Sequence, residues 1–341
     1  MPSLLDSEIK WFNSTLQSWD TPASNGGRCS ETENVSGVAN NVMPNVSAAQ
    51  RANGVIHRRK LFIGPRNASN IALVDPKISI EVGTPGDSHY VLYPGTQTDT
   101  EDTRSARPYG YATLASDADS AATTISVTTE ADWSGDSAGD QPFQAGDTIR
   151  IDARATVEDS GDHEYAEIAT VSYSGTALQI GLTAGLENSY TAAGGIHVAS
   201  VIEPGTIEAK VQSLSVSTTG SLAFNDAAYP IIVPQAGGIY QVWTVTVTDH
   251  TTGELSVSGD TVGLVGTGAM GANLNPANPI GGQYFQLNAS AWGGTPATGD
   301  TLTFTTVPAR TPVWYDRIIP AGAASIASDP VSVCVEGESA F

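Results

Sequence analysis

Gly146-Asp147-Thr148-Ile149, Gly259-Asp260-Thr261-Val262 and Gly299-Asp300-Thr301-Leu302 are three copies of one short phrase. Each is a turn pair followed by a β-branched residue and an aliphatic one. Two copies continue as clean alternation, in Ile149-Arg150-Ile151-Asp152 and Leu302-Thr303-Phe304-Thr305. Apolar residues two apart fall on one face of a strand and their neighbours on the other. Gly-Asp supplies the backbone freedom and local hydrogen bonding of a tight connection. The chain therefore repeats a turn-and-strand unit, and nothing in that unit is reactive.

Composition points the same way. Of 341 residues, 40% are hydrophobic and only 15% charged, below the usual quarter. Thr, Ser, Gly and Val make up the difference, as sheets and turns require. The length allows two or three domains, each with a core of its own. The net charge of −21 is unevenly distributed. Residues 1–110 hold ten basic against eleven acidic side chains, residues 111–205 two against fifteen, and residues 206–341 three against ten. A middle segment at −13 repels nucleic acid and anionic membranes, so no specific nucleic-acid partner is expected. The nearly neutral N-terminal part is the natural docking region.

Cys29 and Cys334 read as unpaired thiols of a reduced compartment. The opening Met1-Pro2-Ser3-Leu4-Leu5-Asp6 has no basic or apolar signal region, so neither secretion nor a membrane anchor is expected.

The spacing predicts a mainly β protein of multi-module antiparallel sandwich or barrel domains. One or two short N-terminal helices and a long irregular arm precede them. Leu4, Leu5, Ile9, Phe12, Leu16 and Trp19 approximate helical spacing over residues 3–19. A second helix is predicted at 46–54, ended by Gly54. Residues 20–56 otherwise lack periodicity, which is usual for an interfacial segment. Residues 1–56 thus form helix and arm, and residues 57–110 with 312–341 a β core. Residues 111–204 form an acidic β module and 205–311 a second one. Within the core, Arg59–Ile63, Asn70–Val74, Lys77–Val82 and His89–Tyr93 read as strands, with a break at Asp75-Pro76. Residues 123–128, 148–151, 165–171, 178–182 and 197–201 read as strands of the acidic module.

Candidates for chemistry are few. The five histidines are scattered and none has metal-ligand spacing. No nucleophile elbow, phosphate loop or H-E-x-x-H sequence occurs. No catalytic, cofactor-binding or metal-binding residue is therefore assigned. The acidic loops Asp132–Asp140 and Glu158–Asp162 are rich in oxygen ligands, but without the order of a calcium loop, and read as solvated turns. Trp243, Trp292 and Trp314 could stack on sugars, yet each sits among strand residues and reads as packing. The run His57-Arg58-Arg59-Lys60 is too short for a nucleic-acid patch. It is either a solvated strand entry or a charge that neutralises an acidic neighbouring subunit. On the second reading the expected interface residues are Trp19, Arg28, Arg58, Arg59 and Lys60.

Longer phrases carry a resemblance. Ala23-Ser24-Asn25-Gly26-Gly27-Arg28, Ser36-Gly37-Val38-Ala39-Asn40-Asn41-Val42-Met43-Pro44 and Leu92-Tyr93-Pro94-Gly95-Thr96-Gln97-Thr98-Asp99-Thr100 resemble virion structural proteins of tailed bacteriophages. The Mu-like phages with long flexible tails are the nearest group. Tyr284-Phe285-Gln286-Leu287, Ala291–Thr295, Pro312-Val313-Trp314-Tyr315 and Ile319–Ala323 extend the similarity to the C-terminal part. The resemblance covers roughly half the chain and is weakest in the acidic middle. It implies a non-enzymatic, cofactor-free particle component. Such a part assembles in the host cytoplasm as homo-oligomeric rings of a tail tube or baseplate, with other tail proteins as partners. A carbohydrate- or receptor-binding or head decoration role on the particle surface is the alternative.

Overall fold

A computed structural model describes residues 3–154 and 162–339 of the chain. Strands account for 46% of it and helix for 6%. In chain order, the first strands are β1 (Ile9–Gln17), β2 (Asn25–Glu33), β3 (Val55–Pro65), β4 (Leu73–Val82) and β5 (His89–Pro94). Next come β6 (Tyr111–Leu114), β7 (Thr124–Thr129), β8 (Thr148–Asp152), β9 (His163–Ser174), β10 (Ala177–Leu182) and β11 (His197–Ser200). They are followed by β12 (Lys210–Ser217), β13 (Ala223–Phe224), β14 (Gln241–Asp249), β15 (Glu254–Gly259), β16 (Gly263–Ala269), β17 (Trp292–Gly293) and β18 (Thr301–Val307). The last two are β19 (Thr311–Ile319) and β20 (Ser332–Ser339).

Three antiparallel assemblies result. A core sheet runs β2-β1-β3-β19-β5, so a strand from near the C-terminus lies between β3 and β5. The pair β20-β4 packs with it through Ile78, Ile80 and Val335 against Leu61, Leu92 and Tyr315. A closed six-stranded barrel runs β10-β7-β6-β11-β8-β9 around Ile125, Val127, Phe143, Ile149, Ile151, Ile180 and Val198. A third sheet, β12-β18-β14-β15-β16, encloses Trp243, Phe285 and Phe304, whose rings meet edge-on about 5.0 Å apart.

The Gly-Asp-Thr phrases are turns. In the first, Gly146 has φ 87°, Asp147 accepts from the Gln144 amide through its side chain (2.8 Å), and β8 begins at Thr148. The third repeats this with Gly299 at φ 96° and Asp300 accepting from the Ala297 amide at 2.8 Å, and leads into β18. Asp300 also receives the Thr219 and Gly220 amides and the Thr218 hydroxyl, and these donors hold its carboxyl well below the usual range. The second copy instead closes the β15–β16 hairpin.

The helix expected at 3–19 is replaced by a 3₁₀ turn at Asp6–Glu8 and strand β1. Asn13, Ser14 and Thr15 are poor helix formers, and pairing with both β3 and β2 outweighs an imperfect apolar stripe. The arm expected at 20–56 contains β2, so its irregular part is confined to residues between β2 and the second helix. That helix, α1 (Ala48–Asn53), falls inside the 46–54 segment. Ser47 accepts from the Gln50 amide (3.2 Å) and the Gln50 side chain accepts from the Ser47 amide (2.9 Å), a capping box that Gly54 ends at φ 76°. Asp75-Pro76 does not break the chain into two strands. Asp75 (φ 46°) and Pro76 form a bulge opposite the register shift between Glu336 and Glu338, where a proline removes no ladder bond.

Candidate functional site

The alternation in Ile149-Arg150-Ile151-Asp152 sends the isoleucines into the barrel core and the charged pair outward. Outward here means against the β20-β4 pair, and Arg150 is buried. Its guanidinium lies 2.8 Å from Asp152, 3.2 Å from Glu81 on β4 and 3.2 Å from Glu336 on β20. Arg154 also pairs with Glu81. Cys334 sits 2.9 Å from Arg150, and burial pushes its thiol up to about 12. Two more ion pairs tie modules together through Gly-Asp-Thr carboxylates. Arg28 on β2 reaches Asp260 (2.5 Å), and Arg107 pairs with Asp147 of the barrel.

The five expected interface residues are therefore engaged within the chain. Lys60 is fully buried, 2.6 Å from Asp99 and 2.7 Å from the Gly27 carbonyl, and burial lowers its pKa. Asp99 in turn accepts from the Trp314 indole at 2.9 Å. Arg58 pairs with Glu101 (3.0 Å) and Asp316 (3.2 Å), and Arg104 holds Asp316 with both terminal nitrogens at 2.7 Å. Arg59 lies 3.7 Å over the Trp19 ring and donates to Asn25, and burial lowers it to about 10. Lys60 is sealed from solvent and Arg58 is paired within the chain. Trp19 is 44% exposed, and Arg28 and Arg58 are half-buried.

Trp243 and Trp314 are completely buried, and Trp292 packs edge-on against Phe224. None of the three forms an open sugar platform. In the 132–140 loop, Asp132 accepts from Ser134 at 2.6 Å and Ser137 donates to Asp140. Among the described residues no three His, Cys, Asp or Glu side chains gather as a metal group. Residues 158–161 of the second acidic loop lie outside the described part. Cys29 and Cys334 are both free thiols.

A cleft of about 690 Å³ lies on the core sheet. Its floor is Trp11, Leu61, Tyr90 and Tyr315, and its walls are residues 34–46 and 323–331. Asn41 donates to Asn34 (2.9 Å), which donates to Asn13 (2.9 Å) and so fixes one wall to β1. Asp329 fixes the other, accepting from Arg317 (2.8 Å) and the Gly86 amide (2.9 Å). The Tyr315 hydroxyl is buried without a partner, and burial raises it well above the ordinary tyrosine value. The cleft was not legible as a site from periodicity. Its signal is an absence: no Asp, Glu, Lys or Arg occurs in residues 34–50 or 318–328.

No known protein family matches this chain, and no curated protein sequence matches it.

Proposed function

We propose that the chain is a non-enzymatic structural component of a tailed-phage virion, assembling as homo-oligomeric rings in the tube or baseplate of the tail. The observation that carries this reading is the use of charge between modules. Arg28–Asp260 joins the core sheet to the third sheet, and Arg107–Asp147 and Arg150 with Glu81 and Glu336 join the barrel to the loop after β5 and to the β20-β4 pair. The Arg150 cluster is buried, and a buried pair is costly to break from one side, so that joint favours one fixed geometry. A repeating part needs a fixed shape, because small errors between modules accumulate around a ring. The phrase-level similarity to virion proteins supplies the biological setting. Burial of Trp243 and Trp314 removes much of the basis for a sugar-binding alternative. Electron microscopy of the purified full chain tests the reading, with closed rings as the expected image. Dispersed single subunits, or a cleared zone in a host cell-wall zymogram, would overturn it.

A further inference from the structure

A protein at −21 repels its own copies unless they meet on uncharged surface. Among the described residues two such surfaces stand out. The first is the cleft mouth, where Val35 (58% exposed), Val38 (53%) and Ile326 stand in solvent on wall stretches, 34–46 and 323–328, that carry no charged residue. The second lies on the third assembly. No Asp, Glu, Lys or Arg occurs between Asp260 and Asp300, a span that contains β16. Leu264 on β16 is 67% exposed, and Val262 just before it is also exposed.

The edges of this sheet differ in a way that favours β16. β12, at one edge, carries Lys210 and a bulge near Ser213 (φ 56°) and follows Glu208, so charge and irregularity guard it. β16, at the other edge, is bulged at Val265 but has no charged residue, and among the described residues no strand pairs with its outer side. Exposed apolar side chains on an unguarded edge mark a contact surface.

We infer that the uncharged β16 edge of one copy, led by Leu264 and Val262, docks into the uncharged cleft mouth formed by Val35, Val38 and Ile326 of a second copy of this chain. The inference rests on the self-assembly reading above and gives it a mode. The two surfaces are different parts of the chain, so the contact is head-to-tail. A head-to-tail contact generates a ring when its rotation closes and a filament when it does not. The chemistry also fits the occupant. The cleft offers an aromatic and aliphatic lining, and its charged side chains are engaged: Arg317 pairs with Asp329, Arg51 donates to the Val46 carbonyl and Asp87 accepts from the Ala324 amide. An aliphatic side chain entering it meets the apolar floor of Trp11, Leu61, Tyr90 and Tyr315.

The test uses the full chain and two single variants, Leu264→Glu and Val38→Glu. Both positions are exposed, so wild-type melting temperatures are expected and serve as the folding control. In sedimentation velocity the wild-type chain forms the oligomer, and each variant alone weakens it at least about tenfold in apparent Kd. An equimolar mixture of the two then forms a heterodimer and no larger species. Val38→Glu keeps an intact β16 edge and Leu264→Glu an intact cleft, so one contact survives. Variants that oligomerise like a self-associating wild type would overturn this contact and leave the self-assembly reading standing. Variants that stay monomeric when mixed would overturn the head-to-tail geometry. A wild-type chain that is monomeric throughout would overturn both.

Discussion

Lys60 is the residue at which the fold commits most to a buried charge. Its ammonium is sealed beneath β2 by Asp99, the Gly27 carbonyl and the rings of Phe62 and Trp314. Lys60→Met would leave Asp99 without its cation, a loss on the order of 3–5 kcal/mol. Adding Asp99→Asn should restore part of that, and a double-mutant cycle by urea unfolding measures the coupling. A strictly additive pair would show that the two charges do not stabilise each other. Gly26 makes the seal possible. Its φ is +106°, and a Cβ there would lie 2.7 Å from the Trp314 ring. Gly26→Ala should cost at least about 1–3 kcal/mol from backbone strain alone. Burial lowers the imidazole pKa of both His57 and His89, and the Arg317 charge adds to the effect at His57. The unfolded chain therefore takes up protons that the folded chain refuses. Their stabilising contribution is present above about pH 6.5 and is lost as pH falls through that value towards the folded pKa. The wild-type Tm should drop on acidification across that window, and His57→Gln with His89→Phe should shrink the drop. An unchanged drop in the double variant would count against it.

At the scale of elements, legibility followed period. Strands with clean alternation, such as Lys77–Val82 and Ile149–Asp152, are where the spacing puts them, and the Ser47 and Gly54 signals bracket α1. β1 was misread as helix because Leu5, Ile9, Phe12 and Leu16 mimic a helical stripe, while its partners β2 and β3 lie far along the chain. Pro76 reads as a stop because the β4 bulge that accommodates it shows only in the pairing with the distant strand β20. The charged side chains were legible as residues but not as partners. Nothing in local pattern reveals that Arg150 faces Glu81 and Glu336. Arg150→Met should leave three carboxylates crowded at a joint and cost about 3–5 kcal/mol near neutral pH. The loss should diminish as those carboxylates protonate in acid. Limited proteolysis at residues 101–110 should speed up if the barrel loosens, and unchanged cleavage would place the joint elsewhere.

At the scale of the molecule, the sequence shows where charge is dense but not which surfaces lack it. The basic run stands out in the sequence, while the uncharged stretches 34–50 and 318–328 stand out only once the cleft brings them together. Deleting residues 20–56 would be a poor test of docking, since it removes β2 and α1 from the core sheet. Salt is a cleaner probe. Screening shortens from about 10 Å at 0.1 M to about 3 Å at 1 M, so an acidic chain joined by neutral surfaces should associate more tightly as salt rises. Salt-induced dissociation would mean that ion pairs carry the contact.

The central claim, that this chain is a self-assembling structural part, is tested most directly by its mass in solution across a concentration series. Mass by light scattering at about 1–100 μM should rise from the 35.3 kDa subunit to one discrete multiple and stop there, as a closed ring requires. A mass fixed at that of the subunit over the whole range would contradict it.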